Sequence, residues 1–201
     1  MNFGDSLNTC TMPDVASTLV STIPPSESQD TIEALLQRFG CDSPRLLLEP
    51  RLVESNSAIL DTPLHMAVRR GSAKIVQLLL QHGADCNARG AQSMTPLAHA
   101  IIGNHESVAD MLLSRGAQVL AMDDQQRSAL HLAVMHRRER LLRTLVCHCG
   151  RNSGVLDECD MEGKTPLHIA ISMDLDSAVE VLCEAGANVQ LQPGVRSTLA
   201  A

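Results

Sequence analysis

The sequence predicts an all-α solenoid in which short helix-turn-helix units stack side by side. Its first support is a hexapeptide that occurs four times, as TPLHMA, TPLAHA, SALHLA and TPLHIA, starting at Thr62, Thr95, Ser128 and Thr165. The starts are 33, 33 and 37 residues apart, and a period of this size is typical of stacked repeats. A second amphipathic stretch follows each hexapeptide, and two such short helices bury their apolar faces only against neighbouring units.

The hexapeptide is expected to open the first helix of each unit. Thr62 can cap the helix with its hydroxyl, and Pro63 stands at a position where no backbone donor is missed. Leu64 and Ala67 then point inward, and Gly71 ends the helix.

The second helix of each unit carries apolar residues at helical spacing and stops at a glycine. We expect Leu79 and Leu112 to lie in one continuous core and Cys183, which takes a leucine position, to be buried. The apolar sets are Ile75, Val76, Leu79 and Leu80 before Gly83; Val108, Leu112 and Leu113 before Gly116; Leu141, Leu142, Leu145 and Val146 before Gly150; and Val179, Leu182 and Cys183 before Gly186.

The residues before the repeats fall into two parts. Residues 1–26 are rich in Ser, Thr and Pro without a sustained period, which predicts a disordered arm. Residues 27–61 begin with Ile32, Leu35, Leu36 and Phe39 at helical spacing and continue with prolines. They are interpreted as a degenerate capping helix and connector.

The stretches TPLHMAVRRGSAKIVQLLLQHGADCNA and GKTPLHIAISMDLDSAVEVLCEAGANV closely resemble ankyrin repeats. The resemblance covers residues 62 to about 197 and implies an ankyrin repeat solenoid with β-hairpin finger loops. Such a solenoid grips other proteins with its concave face and fingertips. The predicted repeats are 62–94, 95–127, 128–164 with an insertion and 165–197, and residues 198–201 would start a truncated or frayed further repeat.

Two repeats depart from this pattern. The second has Ala98 where histidine is usual and places the imidazole at His99. The third has Ala129 for proline and four extra residues within CGRNSGVLDECD. We expect its finger to protrude or bend.

Composition excludes several classes of function. The only aromatic residues are Phe3 and Phe39, so stacking platforms for single-stranded nucleic acid are largely missing. Net charge is −7, with a mildly basic middle between acidic ends, which is no polybasic nucleic-acid footprint. Seven cysteines without a secretory leader, and no membrane-length apolar run, predict an intracellular protein in cytoplasm or nucleus.

Candidate chemical sites are few. His65, His131 and His168 recur one repeat apart, about 8–10 Å, which is too far to share a metal ion. We interpret each as hydrogen-bonded to its own threonine or serine and to the neighbouring loop. Motifs of nucleophilic, phosphate-binding or metalloprotease sites are missing from the sequence, which therefore predicts no enzyme, no cofactor and no small-molecule ligand.

The family pattern places two groups of side chains on the predicted binding surface. One group ends the first helices and the other occupies the fingertips, and together they predict a positive strip around methionines that suits an acidic, partly apolar peptide. The predicted binding residues are Arg69, Arg70, Gln92, Met94, Arg127, Met135, His136, Arg137, Arg138, Met161, Glu162, Lys164 and Met173.

The leading hypothesis is a non-catalytic scaffold that binds a partner protein segment. A narrower one is a regulator that masks a transcription factor, because the interrupted third repeat loosely resembles ankyrin inhibitors of the NF-kappa-B type. A third is a zinc or thiol sensor at Cys147, Cys149 and Cys159.

Overall fold

The computed structural model describes residues 61–149 and 153–194, and within these ranges the chain is helical without a β-strand. The predicted arm at 1–26, the capping helix within 27–61, and residues 198–201 lie outside the described residues. The described helices are α1 Pro63–Arg69, α2 Ala73–Gln81, α3 Pro96–Ile102, α4 Glu106–Ser114, α5 Ala129–Met135, α6 Glu139–Cys149, α7 Ser153–Leu156, α8 Pro166–Ser172 and α9 Asp176–Ala185.

The four inner helices, α1, α3, α5 and α8, each begin at the recurring hexapeptide. The Thr62 hydroxyl accepts a hydrogen bond from the backbone N–H of His65, 3.4 Å away. Thr95 and Thr165 cap α3 and α8 in the same way. The predicted hydroxyl cap is therefore confirmed, and it satisfies a backbone donor that a helix start would otherwise leave unpaired.

The units stack as two layers. Along the inner layer α1 packs on α3, α3 on α5 and α5 on α8, while along the outer layer α2 packs on α4, α4 on α6 and α6 on α9. Each inner helix also packs against the outer helix of its own repeat. This is the predicted all-α solenoid, in which a repeat contacts only its neighbours.

The core runs continuously through the stack. Leu112 is fully buried, as predicted, but Leu79 is only partly buried against the core, while the adjacent Leu78 is 3% exposed. Cys183 was expected in the core and is exposed, which corrects the prediction. Its counterparts Leu80 and Leu113 are each 7% exposed and have a following repeat beside them.

The insertion in the third repeat forms a helical turn ahead of the finger. Helix α6 has 11 residues, against 9 for α2 and α4, and the four-residue α7 follows it. Val155 and Leu156 at the end of α7 are 7% and 0% exposed. The expectation that this finger protrudes or bends is wrong, because the extra length is taken up before the finger begins.

Candidate protein-binding surface

The three signature histidines are structural. Nδ1 of His65 lies 2.8 Å from the Thr62 hydroxyl and accepts from the Thr62 N–H at 3.2 Å. Its Nε2 lies 3.0 Å from the Met94 carbonyl in the finger. His131 and His168 make the same bonds to Ser128 and Thr165 and to the carbonyls of Lys164 and Leu191. Each histidine therefore ties the start of an inner helix to its own finger, as predicted.

These bonds also fix the protonation state of the imidazoles. A carbonyl only accepts, so Nε2 carries the proton, while Nδ1 must stay unprotonated to accept the backbone N–H. Burial lowers the pKa of His65 and of His131 below the ordinary value for histidine. The imidazoles of His65 and His131 are thus neutral and link an inner helix to its finger, rather than acting as acids, bases or metal ligands.

The fingers form a row of hairpin turns joined by backbone hydrogen bonds. Within fingers, Gly90 N–H donates to the Met94 carbonyl at 2.9 Å, and Asp123 and Asp160 repeat the bond four residues on. Between fingers, Asp124 N–H donates to the Gln92 carbonyl at 3.2 Å, and Met161 N–H to the Gln125 carbonyl at 3.1 Å. The fingertips are therefore held side by side at a fixed spacing, although no strand is formed among the described residues.

The structure brings Gln92, Met161 and Glu162 to exposed positions on this row. Met161 is 67% exposed, which makes it an accessible apolar side chain. Met94 is half-buried and packs against the core, so only part of it faces outward. Of these predicted finger residues, Gln92, Met161 and Glu162 are thus exposed at the fingertips, whereas Met94 is half-buried at the base of its finger.

The C-terminal ends of the inner helices form a second row. Arg69, Met135 and Ser172 end α1, α5 and α8, and Met135 is 37% exposed. Arg70, His136 and Met173 are the next residues, and they cap these helices. Arg70 and His136 are exposed, whereas Met173 is half-buried against the core.

The residue after each cap has a left-handed backbone. Gly71 has φ +69°, and its counterparts Asn104, Arg137 and Asp174 have φ of 57°, 56° and 56°. Glycine and asparagine adopt this region readily, whereas arginine adopts it at a cost of about 1–2 kcal/mol. Arg137 therefore stands, exposed, at a position that favours a smaller residue.

Several of the predicted cations already have an acidic neighbour. Arg69 pairs with Asp61 at 3.1 Å and Lys164 with Glu162 at 2.7 Å, and the side chains of Arg69 and Glu162 are 61% and 70% exposed. Arg127 pairs with Asp123 at 2.7 Å inside the second finger, where the two side chains are 20% and 3% exposed. The Lys164–Glu162 pair is exposed and weak, whereas the Arg127–Asp123 pair holds the second finger together. The Arg69–Asp61 pair joins an exposed guanidinium to a carboxylate that is only 15% exposed.

Arg138 connects repeats. Its Nη2 donates to the Ile102 carbonyl of the preceding repeat at 3.0 Å, and the side chain is half-buried. Although it was predicted together with Arg137 as part of the binding strip, its guanidinium is engaged between α3 and α6.

Metal and thiol chemistry gains no support in the described part of the chain. Among residues 61–149 and 153–194, no three His, Cys, Asp or Glu side chains are close enough to hold a metal ion. Burial raises the pKa of the Cys149 thiol, which makes its reactive thiolate scarcer. None of the described helices is long and apolar enough to cross a bilayer.

Two residues, His99 and Ile171, have surroundings that the repeat pattern did not predict. His99 lies beside His65 with ring centroids 5.7 Å apart, and burial lowers its pKa to about 4. Ile171 was not singled out in the sequence, and it is 61% exposed on the last inner helix. The sequence signal for both is a mismatch with the surrounding repeats: a histidine in an apolar position, and an apolar residue with no repeat described after it.

The family assignment follows from this stack of capped helix pairs together with a family model. The model of ankyrin repeats in three copies matches residues 26–123 and 120–193. The chain belongs to the ankyrin-repeat family. The match begins at residue 26 and so includes residues ahead of the four repeats predicted from the hexapeptide.

Curated relatives of this ankyrin array belong to several kinds of protein. Human B-cell lymphoma 3 protein is 33% identical over 133 residues, covering 64% of this chain and 29% of that protein. Human Rabankyrin-5 is 36% identical over 165 residues, 81% of this chain and 14% of that protein. Chicken nuclear factor NF-kappa-B p105 subunit is 29% identical over 138 residues, 66% of this chain and 14% of that protein. The chain therefore spans less than a third of each.

Proposed function

We propose that this ankyrin array is a non-catalytic scaffold that holds an acidic, partly apolar segment of a partner protein. Ankyrin repeats are protein-interaction scaffolds. The observation that carries the finer proposal is Met135, an exposed apolar side chain at the end of the third inner helix, with His136 and Arg137 directly after it. An adaptable thioether between polar groups suits an apolar anchor of a partner.

Charge favours an acidic partner at the same row. Arg69, Arg70 and Arg137 are exposed near the ends of α1 and α5. The Arg69 side chain is 61% exposed, whereas that of Asp61 is 15% exposed and also accepts a hydrogen bond from the Ala91 N–H. Asp61 therefore keeps a donor when Arg69 turns to a partner carboxylate. Arg127 and Arg138 support the scaffold in this proposal, because their guanidinium groups are held within the finger and between the repeats.

Rigidity supports recognition by the fingertips. Backbone bonds between fingers keep Gln92, Met161 and Glu162 at fixed spacing, so little conformational entropy is lost when a partner is bound.

Burial lowers the pKa of His136, with Arg138 and Arg127 adding to the effect, so this side chain is a neutral hydrogen-bonding group at pH 7. We expect fingertips and helix ends to contact the partner together.

The test compares two charge reversals of equal size on opposite layers. Arg69→Glu/Arg70→Glu changes the inner-helix ends, and Lys74→Glu/Arg143→Glu changes exposed positions on the outer helices. Binding of a partner taken from cells that express the chain is measured at low and physiological salt, after circular dichroism confirms that both variants fold. The inner pair should weaken binding at least about tenfold and the outer pair less than about twofold. Equal effects, or no effect at low salt, would refute the proposed strip.

A second candidate function is regulation of a transcription factor. The similarity to B-cell lymphoma 3 protein and to an NF-kappa-B precursor subunit favours it, as does the interrupted third repeat. Crosslinking in intact cells followed by identification of the attached peptides tests this candidate. It predicts DNA-binding proteins crosslinked near α5 and the fingers, and partners restricted to cytosolic trafficking proteins would contradict it.

A further inference from the structure

The inner and the outer helix of every repeat are joined at the edge of the array that lies opposite the fingers. Each connection contains the cap of the inner helix, the left-handed residue after it and the first two residues of the outer helix. These connections are residues 70–74, 103–107, 136–140 and 173–177, and together they are called the loop edge. Every repeat contributes an equivalent part of it.

The loop edge stays exposed where repeats stack on each other. Asn104 and Arg137 are exposed although another described repeat follows theirs, and Asp174 at the same position of the fourth repeat is exposed as well. Glu139 and Asp176, the first residues of α6 and α9, are likewise both exposed. Exposure of these positions therefore belongs to the side of the array and does not depend on which repeat comes last.

The charge of the loop edge changes sign from repeat to repeat. The four connections carry, in chain order, two cations; one carboxylate; three cations and one carboxylate; and two carboxylates. With neutral histidine their formal charges are +2, −1, +2 and −2. The cations of the first connection are Arg70 and Lys74, and the carboxylates of the fourth are Asp174 and Asp176. All four of these side chains are at exposed positions.

These charges are complementary in one relative orientation of two copies of the chain. When two loop edges face each other with the stacks parallel, each repeat meets its own equivalent, so +2 lies against +2 and −2 against −2. When the stacks are antiparallel, the first repeat meets the fourth and the second meets the third, so +2 lies against −2 and −1 against +2. A two-fold axis between the second and third repeats then relates the copies, as in most homodimers. Charge favours the antiparallel arrangement.

The ion pairs within one copy leave the outer charges of the loop edge available. None of the pairs formed among residues 61–149 and 153–194 includes Lys74, Asp174 or Asp176. Near the two-fold axis, Arg140 lies 3.2 Å from Glu106, and their side chains are 84% and 36% exposed. This exposed pair can exchange for the same two groups of a second copy, because exposed pairs hold their partners weakly.

We propose that two copies of this chain associate antiparallel through their loop edges. Arg70 and Lys74 of each copy meet Asp174 and Asp176 of the other, which forms two equivalent charged contacts on either side of the two-fold axis. The contact is polar, so we expect a dimer that forms reversibly, with a dissociation constant of about 10–100 µM at low salt. Self-association goes beyond the proposed function, although Arg70 also belongs to the strip proposed to bind a partner.

A zero-length crosslink tests the pairing directly. A carbodiimide condenses the Lys74 amine with a carboxylate in contact, forming an amide while the reagent takes up the water that is lost. Lys74 and Asp174 of one copy are three repeats apart, about 24–30 Å, so a link between them joins two copies. The full chain at about 200 µM, under reducing conditions, should give a covalent dimer with Lys74 linked to Asp174 or Asp176 by mass spectrometry. No covalent dimer, or a dimer without these links, would overturn the proposal.

Charge reversal on each side of the contact gives a second test by sedimentation. Arg70→Glu/Lys74→Glu and Asp174→Arg/Asp176→Arg should each weaken self-association at least about tenfold, because like charges then face each other. An equimolar mixture of the two variants should dimerise again, since the reversed groups of one copy meet those of the other at both contacts. Arg137 has the same left-handed backbone as Asp174, so arginine is compatible with that position. A mixture that stays monomeric would overturn the proposed pairing.

A matched control separates the contact from the net charge of the chain. Asp110→Lys/Glu180→Lys changes the net charge as much as Asp174→Arg/Asp176→Arg does, but at exposed positions on the outer helices. Circular dichroism first confirms that all variants fold. The control should dimerise like the unchanged chain, and dimerisation should weaken at least about tenfold between about 50 and 500 mM salt. Equal loss in the control, or association that salt does not weaken, would overturn the proposal. The purified chain is used alone, so the outcome does not depend on whether the strip binds another protein.

Discussion

His99 shows what one departure from the repeat pattern does at the scale of a residue. It takes the position held by Met66, Leu132 and Ile169 in the other repeats, and its Nε2 is buried without a hydrogen-bond partner among the described residues. Burial lowers its pKa to about 4, and His65 nearby adds to the effect. The imidazole is thus kept neutral at a site that fits an apolar side chain.

Replacing this residue should stabilise the array and change its response to pH. His99→Leu removes an unsatisfied polar atom, and we expect the free energy of unfolding to rise by about 1–3 kcal/mol. Because the folded-state pKa lies below the ordinary 6.5, the unfolded chain binds more protons between pH 6.5 and 4. The contribution of neutral His99 to the free energy of unfolding is therefore fully present above pH 6.5 and is lost as the pH falls toward 4. Urea unfolding measured across this pH range should show that the free energy of unfolding depends less steeply on pH in His99→Leu than in the unchanged chain. An unchanged pH dependence would contradict the lowered pKa of His99.

Arg137 should be a residue retained for binding at the expense of stability. Its left-handed backbone favours glycine, so Arg137→Gly should raise the free energy of unfolding by about 0.5–1 kcal/mol while it weakens partner binding. Arg137→Asn, which copies Asn104 of the second repeat, is the control that removes charge with a residue tolerant of this conformation. Equal partner affinity of the chain and both variants would remove Arg137 from the strip.

At the scale of elements, the period predicted the helices but not the insertion. Caps, glycine stops and apolar spacing recur in all four repeats, so the inner and outer helices and the histidine bonds could be derived from sequence. The four extra residues belong to no period, and a turn such as α7 is specified by the burial of Val155 and Leu156, which depends on neighbouring repeats. The position of the extra residues in the sequence therefore predicted a distorted finger, whereas in the structure Val155 and Leu156 of α7 are buried in the core.

The inserted turn should behave as core in a stability measurement. Leu156→Ala should lower the free energy of unfolding by about 2–4 kcal/mol, because this side chain is fully buried. Met161→Ala, five residues further on and 67% exposed, should change it by less than about 0.5 kcal/mol. Denaturant titration gives both values. A cost below about 1 kcal/mol for Leu156→Ala would mean that the insertion is a loop resting on the surface.

The site was less predictable than the fold, for a physical reason. Register placed Met135, His136 and Arg137 at helix ends, and the structure puts all three at exposed positions there. Register does not show which cations find partners within the chain, and Arg127 and Arg138 are held by Asp123 and by the Ile102 carbonyl. These contacts depend on how neighbouring repeats and finger residues meet in space.

At the scale of the whole molecule, a stack of repeats has stability that depends on position. Among the described residues the two central repeats pack against a repeat on both sides, whereas the first and the fourth each pack against one. The same arrangement explains why Cys183 was mispredicted as core, since its leucine position is buried by a successor. Stability in such arrays is close to a sum of repeat terms and interface terms.

Local opening of the fourth repeat should therefore precede opening of the two central repeats. We expect amides in α8 and α9 to exchange with solvent hydrogen faster than those in α3–α5, because among the described residues α8 and α9 pack against one neighbouring repeat and α3–α5 against two. Two core truncations test this explanation. Leu112 and Leu182 are both fully buried, so Leu112→Ala and Leu182→Ala should each cost about 2–5 kcal/mol locally. Hydrogen exchange followed by mass spectrometry should show that Leu182→Ala accelerates exchange mainly in residues 165–194, whereas Leu112→Ala accelerates it through all four repeats. Slowest exchange in α8 and α9 would show that the fourth repeat is not less stable than the central repeats. Identical exchange patterns for the two variants would show that the array unfolds as one unit.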